Sequence, residues 1–187
     1  MRIVAGRLRG RVVKMPKSDL VRPTTEKVKE SLFNYLNHYI GFDDLKVCDI
    51  YAGSGSLGFE ALSRGAKEVY FVEKNYQVYK NLENNIKVLN AEKECSVFKM
   101  SAVAFSKRET SVKYDLILAD PPFFHNDVHE VVENILKSNM MTEEGVMIIE
   151  RSVQTKDEDV EAFGREPMKR MGDSLIYQWD NEEEQDN

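Results

Sequence analysis

The chain has 187 residues, 42% of them hydrophobic and 31% charged, and a net charge of −6. That is the length of about one domain with a real core, in the composition range of soluble globular proteins rather than disordered ones, and no apolar run approaches the roughly 18 residues of a membrane helix. The charge is unevenly held: residues 1–29 carry nine Lys and Arg against Asp19 and Glu26, a net of +7, which leaves −13 on the rest. Five of those negative charges fall in the last eight residues, DNEEEQDN, which read as a solvated acidic tail. An acidic body with a basic N-terminal arm suits a localised contact with a polyanion.

The start, MRIVAGRLRG, lacks the apolar run of a secretory signal, so a cytoplasmic, monomeric protein with no membrane association is expected. Cys48 and Cys95 lie in separate apolar runs and read as buried thiols of a reducing compartment. Together with His38, His125 and His129 they show no metal-ligand spacing, and no metal site is expected. His125 and His129 read as a solvated helix start.

In chain order, Arg2-Ile3-Val4-Ala5 and Arg11-Val12-Val13-Lys14 flank a loop bounded by Gly6 and Gly10, the pattern of a hairpin. Pro23 then blocks helix, and Thr24 or Thr25 is placed to cap the next one. Val28, Leu32, Phe33, Leu36 and Tyr39 recur at helical steps and predict a helix to about residue 39. After Gly41 short apolar runs alternate with helical segments. Strands are predicted at 46–50, 68–72, 96–100, 114–119 and 145–150, and helices at 56–64, 76–89 and 128–137. This alternation means βαβ units and a mostly parallel sheet, a three-layer αβα domain of the Rossmann-like α/β class. Segments 166–171 and 175–179 around Gly172-Asp173 predict a closing antiparallel hairpin. The domain reading is a basic hairpin and helix extension at 1–40, an α/β domain at 41–179 and the tail at 180–187.

The loop from Asp49 through Ala52, Gly53, Ser54 and Gly55 to Gly58 stands where the first core strand turns into a helix. Glycines there permit a sharp turn and close approach of a ligand, as in the nucleotide crevice of open α/β sheets. Glu73 ends the next strand, and its two acceptor oxygens match the adjacent hydroxyls of an adenosine ribose. The spacing Gly53-x-Gly55-x-x-Gly58 with an acid twenty residues on also fits a dinucleotide fingerprint, so the loop alone leaves S-adenosylmethionine and NAD open. Asp49 suits a cationic ligand and would repel a pyrophosphate. About 110 residues remain after Glu73, little for the further substrate domain of a dehydrogenase.

Asp120-Pro121-Pro122-Phe123 follows the strand at 114–119, at the same sheet edge. Two prolines stiffen the backbone, placing a carboxylate, a fixed carbonyl and an aromatic ring together. An exocyclic amine of a base is a poor nucleophile because its lone pair is delocalised. Asp120 and the Pro121 carbonyl are suited to hold its hydrogens and turn the lone pair toward a sulfonium methyl, with Phe123 stacking on the base. Neither cysteine is near, which disfavours thiol attack on a pyrimidine. Adenine N6 in DNA or RNA, a protein glutamine amide, an NAD-linked oxidoreduction and a non-catalytic RNA-binding module are the competing readings. Arg22 is the candidate grip on RNA near the pocket, with Thr24 beside it and Arg7, Arg9 and Arg11 as outer contacts.

With these motifs placed, the chain resembles class I S-adenosylmethionine-dependent methyltransferases, and more closely the RsmD family of bacterial 16S ribosomal RNA guanine-N2 methyltransferases. The matching text is MRIVAGRLRGR, RPTTEKVKESLFNYL, DIYAGSGSLGFEALSRGA with Glu73, and YDLILADPPF, over residues 1 to about 151. The resemblance implies a seven-stranded sheet and methylation of a guanine amine in small-subunit RNA, free or within an assembling subunit. It also implies cofactor contacts at Asp49, Gly53, Gly55 and Glu73, and catalysis at Asp120 through Phe123. After the third strand relatives place Asp or Asn to bond the adenine amine. Here Ser101 stands, with a shorter reach, and the Ala102 amide beside it.

Overall fold

The computed structural model describes residues 1–16, 26–122 and 126–181. Its strands are β1 (Lys46–Ile50), β2 (Glu68–Val72), β3 (Cys95–Phe98), β4 (Tyr114–Ala119), β5 (Met141–Ser152), β6 (Lys169–Met171) and β7 (Ser174–Asp180). They form one seven-stranded sheet in the order β3-β2-β1-β4-β5-β7-β6. The first five are parallel, and β7 runs antiparallel between β5 and β6. Helices are α1 (Glu26–Tyr39), α2 (Ser56–Arg64), α3 (Tyr76–Leu89), α4 (Ala102–Ser106), α5 (Asp127–Lys137) and α6 (Lys156–Phe163). No described helix is long and apolar enough to cross a membrane.

Because both sheet faces are covered, the central strands are buried along nearly their whole length. One core joins Val47, Val69, Phe71, Leu116, Leu118 and Ile148 to the arm, α1, α2 and α3. The other joins Ile50, Ile117, Ile149, Tyr177 and Trp179 to α4 and α5. Consecutive strand residues therefore face opposite layers, which decides below which side chains share the ligand edge.

Five expected elements have their predicted bounds, at 46–50, 56–64, 68–72, 76–89 and 114–119. The third strand starts and ends earlier than expected, and β5 begins at Met141 because its Thr142-Glu143-Glu144 stretch continues the strand beyond the apolar run. The N-terminal hairpin narrows to one bridge, Arg2 with Val12, flanked by the Ile3 N–H to Arg11 O bond of 3.0 Å. Leu8 in its tip turns inward to the core and draws the loop off the ladder. The Thr24 or Thr25 cap and residues 182–187 of the tail lie outside the described residues.

The arm is held by a buried carboxylate. Glu60 of α2 is fully enclosed. It accepts the Val4 and Ala5 N–H groups at 2.8 and 3.1 Å, pairs with Arg64 Nε at 3.0 Å and lies 3.4 Å from the Lys29 ammonium of α1. Lys29 in turn donates to Arg2 O at 2.8 Å. At Gly6 (φ +78°) a Cβ would stand 1.8 Å from Ser63 O, so only glycine lets the arm lie this close to α2.

Candidate functional site

Strand register gathers the acidic residues. β1 pairs with β2 and β4 so that Asp49 lies between Phe71 and Leu118. Two residues further along those strands, Glu73 and Asp120 come to the same face, one step nearer the C-terminal edge. Burial pushes the Asp49 carboxyl well above the usual carboxylate range, and the charges of Asp120 and Glu73 raise it further, against one bond from the Gly58 N–H at 2.9 Å. The Asp120 charge is thus felt at Asp49, beneath the glycine loop. Ala119 pairs with Ile149, so Glu150 belongs to the same row, on the next strand. It is buried and accepts the Ser174 hydroxyl at 2.6 Å. Sequence reading missed Glu150, although a Glu-Arg pair ending the apolar run VMII was a signal for it.

The loop above β1 turns through three left-handed residues, Tyr51 (φ +62°), Gly53 (φ +56°) and Gly55 (φ +84°). For a tyrosine this conformation is strained, by about 1–3 kcal/mol. Its hydroxyl is tied to Asp127 at the start of α5, 3.1 Å away. The glycines divide their work. A Cβ on Gly53 would meet only Tyr51 O, at 3.8 Å, so this turn is open to a ligand. On Gly55 it would strike Leu82 and Phe59, each at 2.5 Å, and on Gly58 Phe71 at 2.3 Å and Val69 at 2.8 Å. Gly58 is therefore a packing glycine, turned to the sheet. Ala52 and Ser54 are buried, the carbonyl of Ser54 accepting from Asn85 at 3.0 Å. Glu73 accepts the Gly53 N–H at 3.1 Å and the Asn75 N–H at 2.7 Å, which fixes its carboxylate at the crevice mouth.

Asp49 is 2% exposed and braces the loop from beneath through Gly58. Ser101 caps α4 by accepting the Ala104 N–H at 3.1 Å, which commits one of its lone pairs, and Ala102 is buried behind it. At the end of β4, Pro121 is buried and Pro122 exposed. Phe123, Arg22 and Thr24 lie outside the described residues.

The remaining arginines are not brought to this edge. The arm descends beside α2, from Met1 near Ser56 to Ala5 near Ser63, and turns at the edge where the parallel strands begin. There Arg7 pairs with Glu94 at 2.6 Å and Arg11 donates to Val88 O at 2.6 Å, while Arg9 is exposed at the tip. The arm then climbs along α3, and Lys14 reaches Asn85, which also holds Ser54 of the glycine loop. A second unforeseen network lies behind α5. Arg151 of β5 makes two bonds through Nε to Asp159, at 3.0 and 2.9 Å, and Thr155 and His129 donate to the same carboxylate at 2.6 and 2.7 Å. Burial works against the Asp159 charge, but these bonds outweigh it and hold the carboxyl below its ordinary range.

A parallel sheet closed by an antiparallel seventh strand, with a glycine loop after β1, an acid after β2 and Asp-Pro-Pro after β4, defines a class I methyltransferase. The comparisons agree. The family described as "Conserved hypothetical protein 95" matches residues 1–179. Ribosomal RNA small subunit methyltransferase D of Haemophilus influenzae is 37% identical over 152 residues, 80% of this chain and 78% of that protein. Its Escherichia coli counterpart is 32% identical over 154 residues, 82% of this chain and 76% of the other. The solved structure of yhhF from Escherichia coli superposes with a TM-score of 0.77 at 28% identity, covering 96% of this chain and 97% of that one. The chain belongs to this family, the RsmD-type methyltransferases.

Proposed function

We propose that this enzyme transfers a methyl group from S-adenosylmethionine to the exocyclic N2 amine of a guanine in 16S ribosomal RNA. One observation supports the reading: Asp49, beneath the glycine loop, feels the charges of Glu73 and Asp120, and the turn at Gly53 is open. That field attracts a sulfonium and an ammonium and repels a pyrophosphate, which separates this ligand from a dinucleotide. The RNA acceptor is supported by the names of the relatives in Haemophilus influenzae and Escherichia coli, and guanine N2 by the resemblance of the motifs.

When bound, the cofactor supplies an electrophilic methyl on sulfur. The Glu73 oxygens, held by two backbone amides, keep lone pairs for the ribose hydroxyls. Asp49 braces the loop in its left-handed turns from beneath, through the Gly58 N–H. The Asp120 carboxylate and the Pro121 carbonyl accept the two amine hydrogens, so that the nitrogen lone pair is turned toward the methyl, and Phe123 stacks on the ring. Positioning and electrostatics do the catalysis.

The test is transfer of labelled methyl groups to small subunits and to deproteinised 16S RNA from a strain lacking the gene, followed by mapping of the modified base. Asp120→Asn should cut turnover by roughly 100-fold or more, on the scale of losing one preorganised charge contact, with S-adenosylhomocysteine binding retained. A label on adenine N6, on DNA or on a protein amide would overturn the acceptor. Full turnover in folded Asp120→Asn would overturn the mechanism.

A further inference from the structure

Resting on the RNA reading above, we propose that the start of α3 together with the end of β3 is a platform for single-stranded RNA flanking the methylated nucleotide. Its centre is Tyr76, 52% exposed, three residues beyond the crevice carboxylate Glu73. The Lys99 and Lys80 ammonium groups lie 5.1 and 5.8 Å from its ring centroid, and Tyr79 stacks against it at 6.4 Å. Lys74 is exposed on the turn between Glu73 and the helix.

A large exposed ring ringed by ammonium groups offers what one nucleotide needs, a flat surface for the base and cations for its phosphate. The setting sharpens the case, because beyond residue 29 the chain carries a net −13. Only Lys80 of the three lysines is in an ion pair among the described residues, with Glu83 at 2.8 Å. The platform also lies at the C-terminal edge of the sheet, where Asp120 stands, whereas Arg7, Arg9 and Arg11 lie at the opposite edge. From β3 to β4 is three strand spacings, about 14 Å, so a strand with its target base at Asp120 passes Tyr76 within a few nucleotides.

The experiment is filter binding of labelled deproteinised 16S ribosomal RNA over a salt series, with calorimetry of S-adenosylhomocysteine on the same proteins. Tyr76→Ala should weaken RNA binding by roughly 5- to 100-fold, the loss of one stacking ring. Lys74→Ala/Lys99→Ala should lower the slope of log affinity against log salt by about 1.4, for two phosphates of a single strand. Lys67→Ala/Lys93→Ala, an equal charge loss at the opposite edge, should change neither, and cofactor-product binding should be the same throughout. Wild-type affinity and slope in both platform variants would overturn the platform and leave the methyltransferase reading standing. So would a Tyr76→Ala protein impaired only in binding S-adenosylhomocysteine, since the ring would then belong to the adenosine site. Absence of wild-type binding both to this RNA and to small subunits from a strain lacking the gene would overturn both.

Discussion

Glu60→Gln is nearly isosteric, yet the geometry at α2 makes it a severe change. One carboxylate oxygen serves the Ala5 N–H and Arg64, and the other serves the Val4 N–H and Lies next to the Lys29 ammonium. Whichever way a glutamine is turned, its NH2 group meets two donors, one from the arm backbone and one from a cation. Lys29 is left buried without its counter-charge, and breaking a buried pair from one side costs about 3–5 kcal/mol. In a chain of this length each kcal/mol lowers Tm by about 2–4 °C, so a fall of roughly 6–20 °C is expected in thermal denaturation. The amides of Val4 and Ala5 should lose protection in hydrogen exchange ahead of the sheet.

The defect also carries a pH signature. Burial lowers the Lys29 pKa and Glu60 only partly restores it. Removing Glu60 widens the gap between the folded value and the unfolded one. In that gap the unfolded chain binds more protons, so stability rises with pH toward the ordinary lysine range. The difference between variant and wild type should therefore shrink from pH 7 to pH 10, and Lys29→Met added to Glu60→Gln should recover part of the loss. A urea midpoint equal to wild type, with the arm amides still protected, would show that this carboxylate does not dock the arm.

Gly58→Ala places a methyl 2.3 Å from Phe71 and should cost about 1–3 kcal/mol in urea denaturation; an unchanged midpoint would mean that the helix and sheet separate freely. Asp49→Asn keeps an acceptor for the Gly58 N–H and removes a buried charge. Because the Asp49 pKa is raised on folding, the native state binds the extra proton, and wild-type stability falls as pH rises from the unfolded value through the folded one. The variant should therefore be the more stable protein at neutral pH, with the advantage fading in acid, and should bind S-adenosylhomocysteine less well. Asp159→Ala strands the buried Arg151 guanidinium and should cost about 3–5 kcal/mol in chemical denaturation. Arg7→Ala/Arg9→Ala/Arg11→Ala should leave the salt slope of RNA binding intact, and a flatter slope would return the arm tip to the interface.

The sheet was legible because its strands are buried on both faces and read as unbroken apolar runs between glycine turns, as in DLILA and VYFV. Glu73 and Asp120 were legible because each follows such a run, and Asp49 because it breaks one just before the glycine loop. What escaped was the structure held by charge. Helix α6, KDEDVEAF, has as its one fully buried residue Asp159, the reverse of an apolar stripe, so periodicity is blind to it. Glu60 escaped for a related reason: its partners Val4, Ala5 and Lys29 are remote in sequence, and its one local partner, Arg64, stands at the i,i+4 spacing of an ordinary surface ion pair. The five-residue α4 is too short to show a period.

The positive charge of the arm is not gathered in one place. Among the described residues, Lys29 goes inward to Glu60, and Arg7 and Arg11 reach Glu94 and Val88 at the far edge. These contacts fasten the arm to α2 and α3, and the climb to Lys14 then sets Asn85 between the arm and Ser54. The same ladder that docks the arm thus supports the glycine loop. Arm charge at the tip and ligand geometry at the crevice are joined through α3, whose first turn carries Tyr76. Loosening the arm at Glu60 should therefore weaken binding of S-adenosylhomocysteine without touching a single crevice residue. If that affinity is unchanged while the Val4 and Ala5 amides exchange freely, the arm and the loop are mechanically independent.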